Sequence, residues 1–186
     1  MLRVSELYAD EDTVFDNFKS SILFNLRCCI PGIVQSYNPS NNTIEVQPAI
    51  RERIIQEDGK IVYMQLPLLI NVPVAFPRTA DYGISFPIKK NDEVLVLFAD
   101  NAIDNFWEKG SVQNPVESRR HDLSDGIAIP CTLSVPKATP APNSSIVITS
   151  KGCSIEVGDS DIIFSAPSMS MAFSTIYSHI MGGGLE

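Results

Sequence analysis

The sequence predicts an all-β protein with a short N-terminal helix, a small closed β-barrel and a C-terminal β-stalk shared between several copies of the chain. Three observations predict this class. Apolar residues alternate over short runs in residues 144–177, turn-linked runs of the same kind fill most of residues 29–135, and a proline-rich segment, 136–143, separates them. We expect that segment to be an extended, semi-rigid spacer.

Composition limits the class of partner. The chain has 186 residues, a hydrophobic content of 44% and a formal net charge of −8, which suits one medium domain with appendages. Phosphate binding depends on clustered cations, so we expect no nucleic acid partner, and basic pairs such as Arg119-Arg120 should be solvated. No membrane-helix run, signal-peptide pattern or CxxC spacing occurs, so we expect cytosolic synthesis and reduced, mostly buried cysteines.

Residues 1–28 are interpreted as an N-terminal helical arm. A helical stripe runs through Val14, Phe15, Phe18, Ile22 and Leu26. Asp12 or Thr13 can cap its start, and Pro31 stops the helix from continuing. One apolar stripe needs a surface to lie against, which is either the chain's own barrel or a neighbouring protein.

Residues 29–135 are predicted to form the barrel. A hairpin joins residues 30–37 to 43–50, and a second turn at 57–60 leads into 61–66. Further strand-like runs occupy 68–76, 84–88 and 93–98, and residues 101–109 predict one or two capping helical turns. Closing these strands into a barrel would remove their open edges.

Residues 144–177 are predicted to form the stalk. Its inward positions are Ile146, Ile148, Ile155, Val157, Ile162, Phe164, Met169, Met171 and Phe173. Four strands of this length cannot cover such a face from water within one chain, so identical copies wrapped about a common axis would share it as a core. The alternative is an ordinary pair of hairpins packed on the preceding domain.

Several strings resemble one family. They are Gly32-Ile33-Val34, the run from Lys90 to Phe98, Asp104-Asn105-Phe106-Trp107, and the run from Arg119 to Pro130 that begins Arg-Arg-His-Asp. They resemble the central spike proteins of contractile phage tails, of the baseplate assembly protein V or membrane-piercing type, with a Gp138-type N-terminal domain. The resemblance extends from about Ile30 to the end of the chain.

The resemblance implies a homotrimer located in the tail baseplate of the virion and assembled in the host cytoplasm. Residues 29–135 would be an oligonucleotide/oligosaccharide-binding (OB) barrel, three of which form a collar, and residues 144–177 would wind into a triple-stranded β-helix. This needle would dock on tail hub and baseplate proteins and be driven through the bacterial outer membrane when the sheath contracts.

The tip, residues 178–186, departs from the family pattern. Such spikes often end in a histidine-x-histidine pair that binds iron, whereas here His179 is followed by Met181. Three copies of His179 could still hold iron or another first-row divalent metal, or His179 and Met181 could pack as a metal-free plug. Glycines 182–184 would permit a tight reversal or form a frayed end.

The sequence carries no set of groups that indicates an enzyme. His121 lies near Asp122 and Asp125, which is half of a metal or catalytic site, or a loop histidine hydrogen-bonded at the junction of barrel and stalk. We therefore expect a structural protein rather than an enzyme. The alternative is a trimeric OB module that recognises a glycan or a protein, although the stalk aromatics Phe164 and Phe173 lie at inward positions, which favours the needle.

Overall fold

The computed structural model describes residues 11–56 and 58–182. The chain divides between Lys137 and Ala138 into two compact units, each with sheet structure of its own. No helix among the described residues is long and apolar enough to cross a membrane.

The N-terminal unit is mostly β-structure. Its elements are α1 (Glu11–Asn25), β1 (Cys29–Asn38), β2 (Thr43–Pro48), β3 (Glu52–Ile55), β4 (Ile61–Met64), β5 (Leu69–Pro73), β6 (Glu93–Phe98), α2 (Asp104–Lys109) and β7 (Gly126–Pro130). Two 3₁₀ turns, Leu123–Asp125 and Val135–Lys137, precede β7 and end the unit. The predicted N-terminal helix and β-rich class are confirmed.

Five strands form one curled sheet in the order β5-β2-β1-β6-β7. The alternating positions of β1, β2 and β6 point apolar side chains into its concave side, where the core forms. The core consists of Val34, Ile44, Val46, Leu69, Val72, Phe76, Ile88, Val94, Val96, Phe98 and Ala128. Among the described residues an isolated parallel bridge between Val74 and Ala128, and no strand ladder, joins the two edges of this sheet. The sheet is therefore a half-barrel rather than the fully closed barrel predicted.

Two strand glycines allow the half-barrel to close tightly on itself. A Cβ added at Gly32 would lie 2.2 Å from Val46 Cγ1, and one added at Gly126 would lie 2.9 Å from Val96 Cγ1. Both glycines therefore occupy positions where a neighbouring core side chain fills the space of a Cβ.

The segment between β5 and β6 differs from the prediction. Residues 84–88 were expected to be strand-like, but they form an irregular loop in which Phe86 packs edge-on against Phe76, with ring centroids 5.2 Å apart. Pro77 and Pro87 lack the N–H groups that a ladder needs. The strand pair β3–β4 forms a separate ribbon, and β3 had not been predicted as a strand.

The C-terminal unit is a four-stranded antiparallel meander followed by a helix. Its elements are β8 (Ile146–Ser150), β9 (Cys153–Val157), β10 (Ile162–Ala166), β11 (Met169–Ala172) and α3 (Phe173–Gly182), with sheet order β11-β10-β9-β8. Lys151 and Gly152 both have positive φ, 41° and 94°. Two such residues form the tight hairpin turn whose twist matches that of the flanking strands.

The helix α3 corrects the predicted fourth strand, which was expected to include Phe173. The carboxylate of Asp161 accepts a hydrogen bond from the backbone N–H of Ser174 at 3.2 Å and another from the Ser174 hydroxyl. Both bonds lower the pKa of Asp161, and the bond from the hydroxyl has the larger effect. The bond from the backbone also satisfies an N–H group at the start of the helix.

The tip prediction falls partly on this helix. His179 and Met181 belong to α3, so the strand alternation that relates a histidine-x-histidine pair to a common axis does not hold there. Residues 183–186, with the last two tip glycines, lie outside the described residues.

The cysteines also correct a prediction. All four are free, as expected, but Cys28, Cys29 and Cys153 are exposed and Cys131 is only half-buried. Cys28 and Cys29 lie where α1 leads into the start of β1, the central strand of the five-stranded sheet.

Candidate assembly surfaces

One face of the C-terminal sheet is apolar. Residues directly opposite each other in an antiparallel pair share a face. Val157 pairs with both Ile146 and Ile162, and Ile155 pairs with both Ile148 and Phe164. These six side chains form the apolar face, which spans β8, β9 and β10.

The apolar face is open to solvent in the single chain. Its six side chains are between 36% and 70% exposed, and Ile148, Ile155 and Phe164 line a shallow depression of about 340 Å³. On the opposite parity, Ser145 and Glu156 are half-buried, and the Ser145 hydroxyl donates to Glu156 Oε1 at 2.6 Å. A face of this kind can bury apolar surface from another chain, and it offers no polar group for chemistry.

The remaining predicted stalk positions lie on two elements. Met169 and Met171 are in β11, and Met171 is opposite Phe164, which continues the row of Ile148 and Ile155. Phe173 is the first residue of α3 and is exposed.

A buried ion pair lies beside β7. Asp125 is fully buried, and Arg119 binds its carboxylate with two hydrogen bonds, Nε to Oδ2 at 2.7 Å and Nη2 to Oδ1 at 2.9 Å. The backbone N–H of Ile103 donates to Oδ1 at 2.9 Å, and Arg119 also binds Glu117 and Asp104. Asp125, and after it Glu117, raise the pKa of the Arg119 guanidinium. Arg119, which was expected to be solvated, therefore links α2 to the start of β7 through charged hydrogen bonds.

His121 belongs to the junction of α1 and β1. Its Nδ1 lies 3.0 Å from the Arg27 carbonyl oxygen, to which it can donate, and its Nε2 lies 3.2 Å from Asp100 Oδ1. Asp122 instead accepts from the Ser124 N–H at 2.8 Å, which lowers the pKa of Asp122. The histidine and its two sequence neighbours thus do not converge on one site.

The possible metal ligands of the described residues do not cluster either. No group of three His, Cys, Asp or Glu side chains within residues 11–56 and 58–182 could hold a metal ion. The predicted tip ligand is a single histidine, His179, so one chain does not supply enough ligands for iron.

Glu93 holds the last segment of the N-terminal unit. Its carboxylate accepts hydrogen bonds from the Ser134 hydroxyl at 2.5 Å and from the N–H groups of Leu133 and Ser134, both at 2.8 Å. These bonds, led by the hydroxyl's, lower the pKa of Glu93 to about 2. Lys137 Nζ lies 3.6 Å from Glu93 and also donates to the Asn91 carbonyl. Nothing local in the sequence singled out Glu93, because its partners lie about forty residues further along the chain.

The helix α1 carries the second apolar surface. Every side chain from Thr13 to Phe24 is exposed, although the stripe is rich in phenylalanine. The end of the helix is held by the ion pair from Arg27 to Glu52 at 2.7 Å. Of the two surfaces considered for this stripe, the chain's own half-barrel does not cover it.

These features define a class: a β-rich scaffold domain whose uncovered apolar surfaces suit assembly. The family model for the phage protein Gp138 N-terminal domain matches residues 30–131, more than half of the chain. The chain belongs to this family, as its sequence resemblance predicted. It is accordingly a phage structural protein, expected to assemble with other virion proteins. The comparison with curated proteins finds no match.

Proposed function

We propose that the protein is the central spike of a contractile tail, a homotrimeric needle that punctures the bacterial outer membrane when the sheath contracts. The observation that carries this proposal is the apolar face of the C-terminal sheet, open in the single chain. Three copies that turn this face towards a common axis would bury it as a shared core and form the triple-stranded β-helix.

The half-barrel is proposed to be the OB-type collar of that needle. An OB fold is a five-stranded, partly open barrel, and the sheet order β5-β2-β1-β6-β7 with its single parallel closing bridge fits this description. The collar would contact tail hub and baseplate proteins, and the protein would then lie in the baseplate of the virion.

The role is mechanical rather than enzymatic. The polar groups that do bind one another, Arg119 with Asp125 and Glu93 with Ser134, hold segments of the fold together. A needle needs rigidity, and the parity opposite the apolar face is more polar, with Ser145, Ser154 and Glu156 beside Val147 and Ile163.

The test is the oligomeric state of the purified chain and of two matched variants. Light scattering should give three chains for the wild type. Ile155→Asp places three carboxylates at one level of the shared core, and because unpaired buried charge is strongly unfavourable, the trimer should dissociate. Thr149→Asp, on the opposite parity and exposed, should leave the mass unchanged.

Two results would contradict the proposal. A monomeric wild type removes the needle, and an Ile155→Asp protein that keeps both the wild-type mass and the wild-type thermal unfolding shows that the apolar face is not the shared core.

A tip metal is a separate part of this proposal. His179 gives one imidazole nitrogen per chain, so three chains together would provide a three-nitrogen ring for iron or another first-row divalent ion. The chemistry of such an ion at a needle tip would be structural, holding three chain ends together.

A further inference from the structure

The helix α1 has an apolar stripe that is exposed to solvent. Phe15 is 72% and Phe18 65% exposed, and none of the other described elements of the N-terminal unit packs extensively on α1. A helix of 15 residues is marginal in water unless its apolar side packs on something. The N-terminal half of α1, defined by Val14, Phe15 and Phe18, therefore needs a surface outside its own chain.

A groove next to the same helix has no occupant from its own chain. It has a volume of about 710 Å³ and is lined by Leu23 and Phe24 of α1, by Ile55 of β3 and by Cys28 and Cys29. We call it the α1 groove. Its two walls are linked next to the end of the helix, because Arg27 is paired with Glu52 and the Arg27 carbonyl is bound by His121.

The N-terminal half of α1 cannot reach this groove in its own chain. Phe18 lies five residues before Leu23 on one continuous helix, and a helix advances about 1.5 Å per residue. Folding back would break the helix, so only another chain can place these phenylalanines in the groove.

The charges of the two surfaces are complementary. Within the α1 groove Arg27 and Glu52 offset each other, and Arg53 has no ion-pair partner among the described residues, which leaves the groove with one free positive charge. The N-terminal half of the helix sequence carries Glu11, Asp12 and Asp16. An acidic, aromatic helix segment thus matches an apolar groove with a cationic side chain.

We propose that the N-terminal half of α1 docks in the α1 groove of a second copy of this chain. The contact is head-to-tail, because the helix of one copy enters the groove of the next, and three such contacts close a ring. This inference rests on the proposed trimer and adds to it an interface in the N-terminal unit, distinct from the apolar face.

The native cysteines of the groove make the contact measurable. Phe15→Cys and Phe18→Cys are prepared in the full chain and treated with a short bismaleimide. Products of two and three chains should form on a denaturing gel and disappear when Cys28→Ser and Cys29→Ser are added. Treated wild type gives the background from the native cysteines.

A second readout needs no new cysteine. If the neighbour's helix fills the groove, Cys28 and Cys29 should react slowly with a thiol reagent, and Phe15→Ser/Phe18→Ser should increase their rate several-fold. The Cys28→Ser/Cys29→Ser protein identifies which part of the reaction belongs to the groove.

The outcomes separate this inference from the proposed function. A trimer with neither cross-link nor thiol protection refutes the docking and leaves the spike proposal intact. Cross-links that persist without Cys28 and Cys29 mean that the introduced cysteine lies near the same position of another helix, or near Cys131 or Cys153, instead of in the groove. Protection that requires an added tail hub protein means that the hub fills the groove. Either result overturns the inference. A monomeric wild type removes both.

Discussion

Two adjacent arginines, Arg119 and Arg120, should differ sharply in their contribution to stability. Arg119→Ala leaves Asp125 buried without its two charged hydrogen bonds, whereas Arg120→Ala removes only a pair with Asp100 whose side chains are 65% and 61% exposed. Removing one partner of a buried pair costs about 3–5 kcal/mol, and an exposed pair contributes about 0–1 kcal/mol.

The assay is thermal unfolding at neutral pH, followed by circular dichroism. For a unit of this size, the loss in Arg119→Ala corresponds to a fall in Tm of about 10 °C or more, and Arg120→Ala should stay within about 4 °C of the wild type. A urea titration of the same proteins should show the same order of midpoints.

A double variant tests the cause. Arg119→Met/Asp125→Asn removes both charges of the buried pair, so no buried unpaired carboxylate remains at this site, and this protein should be more stable than Arg119→Ala. Equal effects of Arg119→Ala and Arg120→Ala, or a double variant less stable than the single one, would refute the reasoning that Asp125 depends on its partner.

Three further predictions concern other contacts. The folded-state pKa of Glu93 is about 2, below its ordinary value of 4.5, so the contribution of its carboxylate to stability is complete above pH 4.5 and is lost as the pH falls through 2. The urea midpoints of Glu93→Gln and wild type should therefore converge as the pH is lowered towards 2. A difference that stays constant with pH would contradict this. Gly32→Ala should lower the free energy of unfolding by about 1–3 kcal/mol through overpacking against Val46, with partial recovery on adding Val46→Ala. If the tip holds a metal, elemental analysis of the trimer should give about one ion per three chains by the three-nitrogen ligand argument, absent from His179→Ala; a metal-free wild type would favour the packed plug.

Local patterns in the sequence were sufficient for several of the strands, although not for β3. Apolar residues at every second position predicted the hairpin of β1 and β2 and the strand β6, because half-buried strands alternate apolar and polar residues. In the C-terminal unit the Lys151-Gly152 break marked a turn that the structure contains. These features depend on residues close together in the chain.

Contacts between distant residues left no such pattern. The carboxylate of Asp161 reaches Ser174 across 13 positions and helps to start α3, while the strand parity of the preceding residues favoured further strand. The pairing of Glu93 with Ser134 spans 41 positions. Arg119 and Asp125 meet because the 3₁₀ turn before β7 presents the carboxylate inwards, which composition alone could not indicate.

The two units differ in how their stability can arise. The half-barrel has a contiguous buried core, so it can fold from its own contacts. Among the side chains of the C-terminal unit whose exposure the structure describes, none is buried, and a small sheet of this kind is marginal by itself. On the proposed trimer, folding and assembly of the C-terminal unit are therefore one step, because the shared core exists only between chains. Ile155→Asp should then change the mass while the half-barrel stays folded, and Arg119→Ala should weaken the half-barrel without acting on the shared core.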